Sequence, residues 1–97
     1  MSVTHYVAIV EDAGPDVAVG LWFPDLPGCF SAGDSVEEAM ENAREAISAY
    51  AEARASEGNP LPVPRRLAAI KADPAWSADF DRYLVALVEA PRAREAA

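Results

Sequence analysis

Residues 17–39 read Val17-Ala18-Val19-Gly20-Leu21-Trp22-Phe23-Pro24-Asp25-Leu26-Pro27-Gly28-Cys29-Phe30-Ser31-Ala32-Gly33-Asp34-Ser35-Val36-Glu37-Glu38-Ala39 and change structural character repeatedly. Val17, Val19, Leu21 and Phe23 alternate with Ala18, Gly20 and Trp22, which is the period of a strand. Pro24 and Pro27 then remove two ladder donors, and Gly28 can turn the chain. A short strand from Cys29 to Gly33 follows. Asp34-Ser35 opens a helix, because Ser35 with Glu38, or Asp34 with Glu37, makes a capping box. Asp34, Glu37, Glu38 and Glu41 crowd the first turns, where the helix dipole favours negative charge.

Upstream, Thr4 to Glu11 is rich in β-branched and aromatic residues and reads as a strand. The turn cluster Asp12 to Asp16 joins it to the strand at Val17 as an antiparallel hairpin. Downstream, Val36, Ala39, Met40, Ala43, Ile47, Tyr50 and Ala51 recur at three and four, so the helix runs from about Ser35 to about Ser56. The apolar stripe ends near Arg54, Gly58 suits the C′ position, and Pro60 stops the helix. Leu61 to Pro64 is extended, Arg65 to Ala72 can form a short helix, and Pro74 to Ser77 is irregular or a single turn. Arg82 to Ala90 is a near-continuous apolar run, as in a strand covered on both faces.

The pattern predicts an α+β fold with order β-β-β-α-(α)-β. It is a mixed four-stranded sheet, ordered 3-2-1-4, with one long helix on one face. The right-handed crossover rule lets the last strand lie parallel to the first, on the other side of it from the second. The opposite face, with Trp22 on it, has no obvious cover within the chain, which calls for a homo-oligomer (dimer or tetramer), a different partner, or both. Residues 1–90 form one domain, with a short tail over 91–97.

The chain has 97 residues and is 52% hydrophobic, but 21 of its residues are alanine, so few large side chains build the core. The net charge is −8. Residues 1–64 hold eleven acids and two bases, while residues 65–97 hold five acids and six bases. That balance disfavours direct binding to nucleic acid or anionic lipid and suits a basic partner. A single cysteine excludes an internal disulfide framework and a multi-cysteine zinc site. With neither an apolar run long enough to span a membrane nor a secretory leader pattern, the expected location is cytoplasmic.

The segment Phe23 to Ala39, with its Pro-Asp-Leu-Pro-Gly-Cys turn, Gly-Asp and hydroxyl cap before Glu-Glu-Ala, resembles the signature of HicB-type antitoxins. Asn42 to Ile47 and the exit Pro60-Leu61-Pro62-Val63-Pro64 extend the resemblance over about residues 4–64, and residues 82–90 follow it by pattern. It implies a partial RNase H-like fold and a partner, a small basic RNA-cleaving toxin of HicA type, which the domain binds and blocks. Many members carry a C-terminal DNA-binding module. Only seven residues follow Ala90 here, so neither a separate DNA-binding domain nor direct nucleic-acid binding is expected. The alternative function is an orphan homo-oligomeric scaffold or binding module of the same fold, without a toxin.

No enzyme is expected. Two-metal nuclease chemistry needs carboxylates converging from the centres of strands, and here Glu11 and Glu89 lie at strand ends. Cys29 reads as a buried thiol, and His5 as a strand-end surface residue without further ligands. No metal and no cofactor are implied. The candidate partner-binding residues are Trp22, Asp25, Glu37, Glu41 and Glu45. Asp25 either contacts a basic partner or caps local backbone amides. The glutamates form the helix face opposite the apolar stripe. Trp22 and Phe23, adjacent in a strand, point to opposite faces, so one of them faces away from the helix.

Overall fold

The computed structural model describes residues 4–91; the expected tail beyond Pro91 lies outside the described residues. The element order is β1 (His5–Glu11), β2 (Val19–Trp22), β3 (Phe30–Gly33), α1 (Val36–Ser56), α2 (Leu67–Ala72), α3 (Ser77–Arg82) and β4 (Leu84–Glu89). The sheet order is β3-β2-β1-β4, as the pattern predicts. Its strands are all antiparallel rather than mixed, because β4 runs against β1, with Tyr6 facing Val88 and Val10 facing Leu84. The crossover rule fixes the hand of a connection between parallel strands and does not itself decide that two strands run parallel. Here α2 and α3 intervene and carry the chain back to the C-terminal end of β1, so β4 enters from there.

β2 starts at Val19 rather than Val17. The Val17 amide closes a turn on the Gly14 carbonyl at 3.2 Å, which uses that residue as the end of the Pro15-Asp16 turn and leaves its side chain exposed. Residues 74–76 form a turn, in line with the sequence reading, but Ser77–Arg82 is a helix where the pattern assigns nothing between Ser77 and Arg82, and β4 starts at Leu84 rather than Arg82. Six residues without an apolar stripe leave little periodic signal.

α1 forms as the capping residues dictate. Ser35 is the N-cap: its hydroxyl accepts the Glu38 amide at 3.1 Å, while Glu38 Oε1 accepts the Asp34 amide at 2.7 Å. At the other end, Gly58 takes φ 78°, its amide donates to the Ala55 carbonyl, and the Asn59 amide donates to the Arg54 carbonyl. These two bonds form a Schellman closure. Gly33 lets the start of α1 lie against β3: a Cβ there would stand 2.6 Å from the Ala39 nitrogen.

Alternation on β1 divides its side chains between two layers. Tyr6, Ala8 and Val10 join Val19, Leu21, Leu26, Val88 and the α1 residues Ala39, Ala43 and Ile47 in the main core. Val7 and Ile9 point the other way, yet are at most 2% exposed. The sheet's second face is therefore covered at its centre, contrary to the bare face expected. The α2–α3 segment supplies that cover: Ile70 is fully buried outside the main core, and Tyr83 packs edge-on against Trp22 with ring centroids 5.3 Å apart. Trp22 faces Ile9 across the ladder, which puts all three on this face. The periphery is less protected. β4 is an edge strand, not one covered on both faces, and its Leu84 and Leu87 are each 55% exposed.

Candidate functional site

The segment Phe23 to Cys29 folds as two successive β-turns. The Leu26 amide donates to the Phe23 carbonyl at 3.2 Å, and the Cys29 amide to the Leu26 carbonyl at 3.0 Å. Each turn has proline at its second position, where the ring fixes the required φ, and Gly28 supplies the positive φ of 84° at the third position of the second turn. The hinge residue Leu26 is fully buried in the core. Tyr50, on α1, donates its hydroxyl to the Pro27 carbonyl at 2.9 Å and ties the double turn to the helix.

Asp25 projects from the first turn with its side chain only 7% exposed. One carboxylate oxygen accepts the Arg65 amide and the other accepts Arg65 Nε, both at 2.7 Å. Arg65 Nη1 reaches on to Asp73 at 3.0 Å, and the other oxygen of Asp73 accepts the Ala75 amide. Asp73's carboxyl is held below its ordinary value, first by that amide and then by Arg65. The guanidinium's pKa is raised chiefly by its hydrogen bonds to Asp25 and Asp73. Asp25 is thus neither a free acid nor a cap for local amides. It clasps the start of the α2–α3 segment to the double turn. Arg65, still 39% exposed, is the centre of the clasp.

Further hydrogen bonds close the same end of the molecule. Tyr6 donates its hydroxyl to the Pro62 carbonyl, and Arg54 Nε donates to the Pro60 carbonyl at 2.8 Å. Burial pushes the Tyr6 hydroxyl pKa up, with Asp25 adding to the effect. Sequence reading did not find these bonds or the Trp22–Tyr83 contact, because pairings across such separations leave no periodic trace. Trp22 is therefore half-buried against Tyr83 rather than presented on an open face.

Glu37, Glu41 and Glu45 are all exposed on α1 at four-residue spacing, hence on one face. Among the described residues no cation forms a salt bridge with any of them. Glu41 and Glu45 line an open groove of about 420 Å³ with Asn42, Arg44, Ser48 and Pro91. The structure thus divides the candidates: the glutamates share an open acidic face, whereas Trp22 and Asp25 are engaged within the chain.

The positions that chemistry would need are differently furnished. Tyr6 to Val10, the centre of β1, are all buried and carry no acid. Glu11 ends β1, and Glu89 on β4 faces His5 at the other end of β1, so the two lie roughly 20 Å apart at the usual rise per residue. Cys29 is 4% exposed and burial pushes its thiol pKa up, away from the reactive thiolate. Among the described residues no group of three His, Cys, Asp or Glu is placed to hold a metal ion, and no helix is long and apolar enough to cross a membrane.

Comparison with known proteins adds the lineage. A family model described as the HicB_like antitoxin of bacterial toxin-antitoxin system matches residues 6–94. A chain in the structure of a HicA3 and HicB3 toxin-antitoxin complex is 28% identical, with a TM-score of 0.70 over 91% of this chain and 99% of that one. The N-terminal domain of the Burkholderia pseudomallei antitoxin HicB is 26% identical, with the same TM-score and coverage. A 14.9 kDa protein of Haemophilus phage HP1 is 56% identical over 39 residues, which span 40% of this chain and only 29% of that relative's length.

Proposed function

The chain belongs to the HicB-like antitoxin family of bacterial toxin-antitoxin systems, and from that premise we propose that it binds and occludes a small basic RNA-cleaving toxin of HicA type, without chemistry of its own. The observation that carries this reading is the row Glu37, Glu41, Glu45. Like charges at four-residue spacing each cost a helix roughly 0.2–0.5 kcal/mol. A cationic partner surface relieves that repulsion and gains on-rate from the complementary field. The wider acidity of residues 1–64 favours the same partner. The HicA3–HicB3 complex, in which a related chain occurs, supports a toxin of that class.

The reading includes self-assembly, which the exposed Leu84 and Leu87 favour. The test is co-purification with the product of a neighbouring small basic reading frame, followed by an RNA-cleavage assay. A stoichiometric complex with suppressed cleavage is the expected result. Recovery of the homo-oligomer alone, with no protection of cells expressing the neighbour, favours instead a scaffold without a toxin.

A further inference from the structure

We infer that the outer edge of β4 is a self-association surface, on which a second copy of this chain adds its own β4 antiparallel about a two-fold axis. The inference names the surface for the self-assembly proposed above and rests on that reading.

Among the described residues β4 pairs only with β1 and ends the sheet. The Ala90 amide donates to the Thr4 carbonyl at 2.8 Å. Hydrogen bonding alternates along an antiparallel ladder, so Leu84, Ala86 and Val88 bond toward β1, while Val85, Leu87 and Glu89 turn their N–H and C=O groups outward. Edge strands are ordinarily blunted by proline, lysine or a short span. Leu84–Glu89 has neither residue and runs for six positions, whereas β3 on the other edge has four.

The exposed leucines lie on opposite faces of this strand. Leu84 faces Val10, on the α1 side, and Leu87 faces Val7, on the other. A ligand lying on one face of the sheet covers one of them, whereas an added strand covers both.

The strand is complementary to itself in one register. Centred on Ala86, the pairing sets Val85 against the second copy's Leu87, and Leu84 against its Val88. Glu89 then meets the second copy's Tyr83, whose backbone is extended and whose ring carries the Arg82 guanidinium 5.3 Å from its centroid. Each Glu89 thus gains an opposite charge, twice per dimer. A register centred on Leu87 opposes Val85 to Glu89. One centred on Val85 opposes Asp81 to Glu89, a like-charge pair.

Sedimentation equilibrium on the full chain tests this. The wild type is expected at twice 10.3 kDa or a higher even multiple. Leu87→Lys should weaken association by about a hundredfold, since two leucine contacts are lost per interface at roughly tenfold each. Circular dichroism should remain unchanged. Glu89→Arg should also weaken association, and adding Arg82→Glu should restore it. Phe30→Lys, on the β3 edge, should leave it intact. An assembled wild type whose Leu87→Lys variant assembles equally well overturns this surface and leaves self-assembly standing. A wild type monomeric at every concentration overturns both. A monomeric wild type whose Leu87→Lys variant loses toxin capture gives the edge to the toxin, which also overturns the inference.

Discussion

Asp25 and Arg65 lie forty residues apart in the chain and meet through two hydrogen bonds of 2.7 Å, one to the arginine's amide and one to its side chain. The first holds the backbone where it leaves the proline-rich segment. The second orients the guanidinium toward Asp73. The Pro24-Asp25-Leu26-Pro27 turn therefore anchors the cover of the sheet's second face.

Asp25→Ala removes a nearly buried carboxylate and both bonds, while Arg65, 39% exposed, can turn to water. The expected loss is about 1–2 kcal/mol, read as a lower midpoint in urea. Loosening of the α2–α3 cover should also expose Trp22 and shift its fluorescence in the native baseline. An unchanged midpoint and spectrum would remove Asp25 from this role.

Acid should weaken the same clasp. Asp73 has its folded pKa depressed, so the stability it contributes is fully present above the unfolded value, about 4, and is lost as pH falls through the folded value. Tyr6 has its folded pKa raised, so its contribution is present below about pH 10 and is lost as pH rises through the folded value. Melting temperature against pH should fall in both limbs. Asp73→Asn should flatten the acid limb and Tyr6→Phe the alkaline one.

Gly33→Ala places a methyl group 2.6 Å from the Ala39 nitrogen and 2.9 Å from Glu38. Backbone is what it meets, so α1 must shift outward, at a cost of about 1–3 kcal/mol. A domain of this length then melts lower by roughly 4–8 °C per kcal/mol. Ser35→Ala should cost about 1 kcal/mol through loss of the cap. Calorimetry that ranks Gly33→Ala below Ser35→Ala would contradict the close approach of helix and strand.

Local chemistry made much of the fold legible. The double turn, the Ser35 cap, the Gly58 closure and the 3.6-residue stripe of α1 each depend on residues a few positions apart. The direction of β4 depends on where α2 and α3 carry the chain, and neither has a stripe long enough to announce it. Asp25 was legible as a distinctive acid but not as Arg65's partner, because nothing local records a contact at that separation. Trp22 was placed on the correct face, and its cover was missed for the same reason. The glutamate row needed only helical spacing, and it was visible in full.

Neutralising that row separates binding from folding. Replacing Glu37, Glu41 and Glu45 by glutamine removes the mutual repulsion, so stability should hold or rise slightly. Association with a basic toxin should slow and lose part of its salt dependence. Stopped-flow association rates across a salt series check this.

The most direct measurement is RNA cleavage by the partner toxin titrated with this chain. Cleavage should fall to background at one antitoxin chain per toxin, and a Glu37→Lys/Glu41→Lys/Glu45→Lys variant that folds normally should leave it running. Undiminished cleavage at saturating wild-type chain, or equal suppression by the charge-reversed variant, would contradict occlusion through the α1 face.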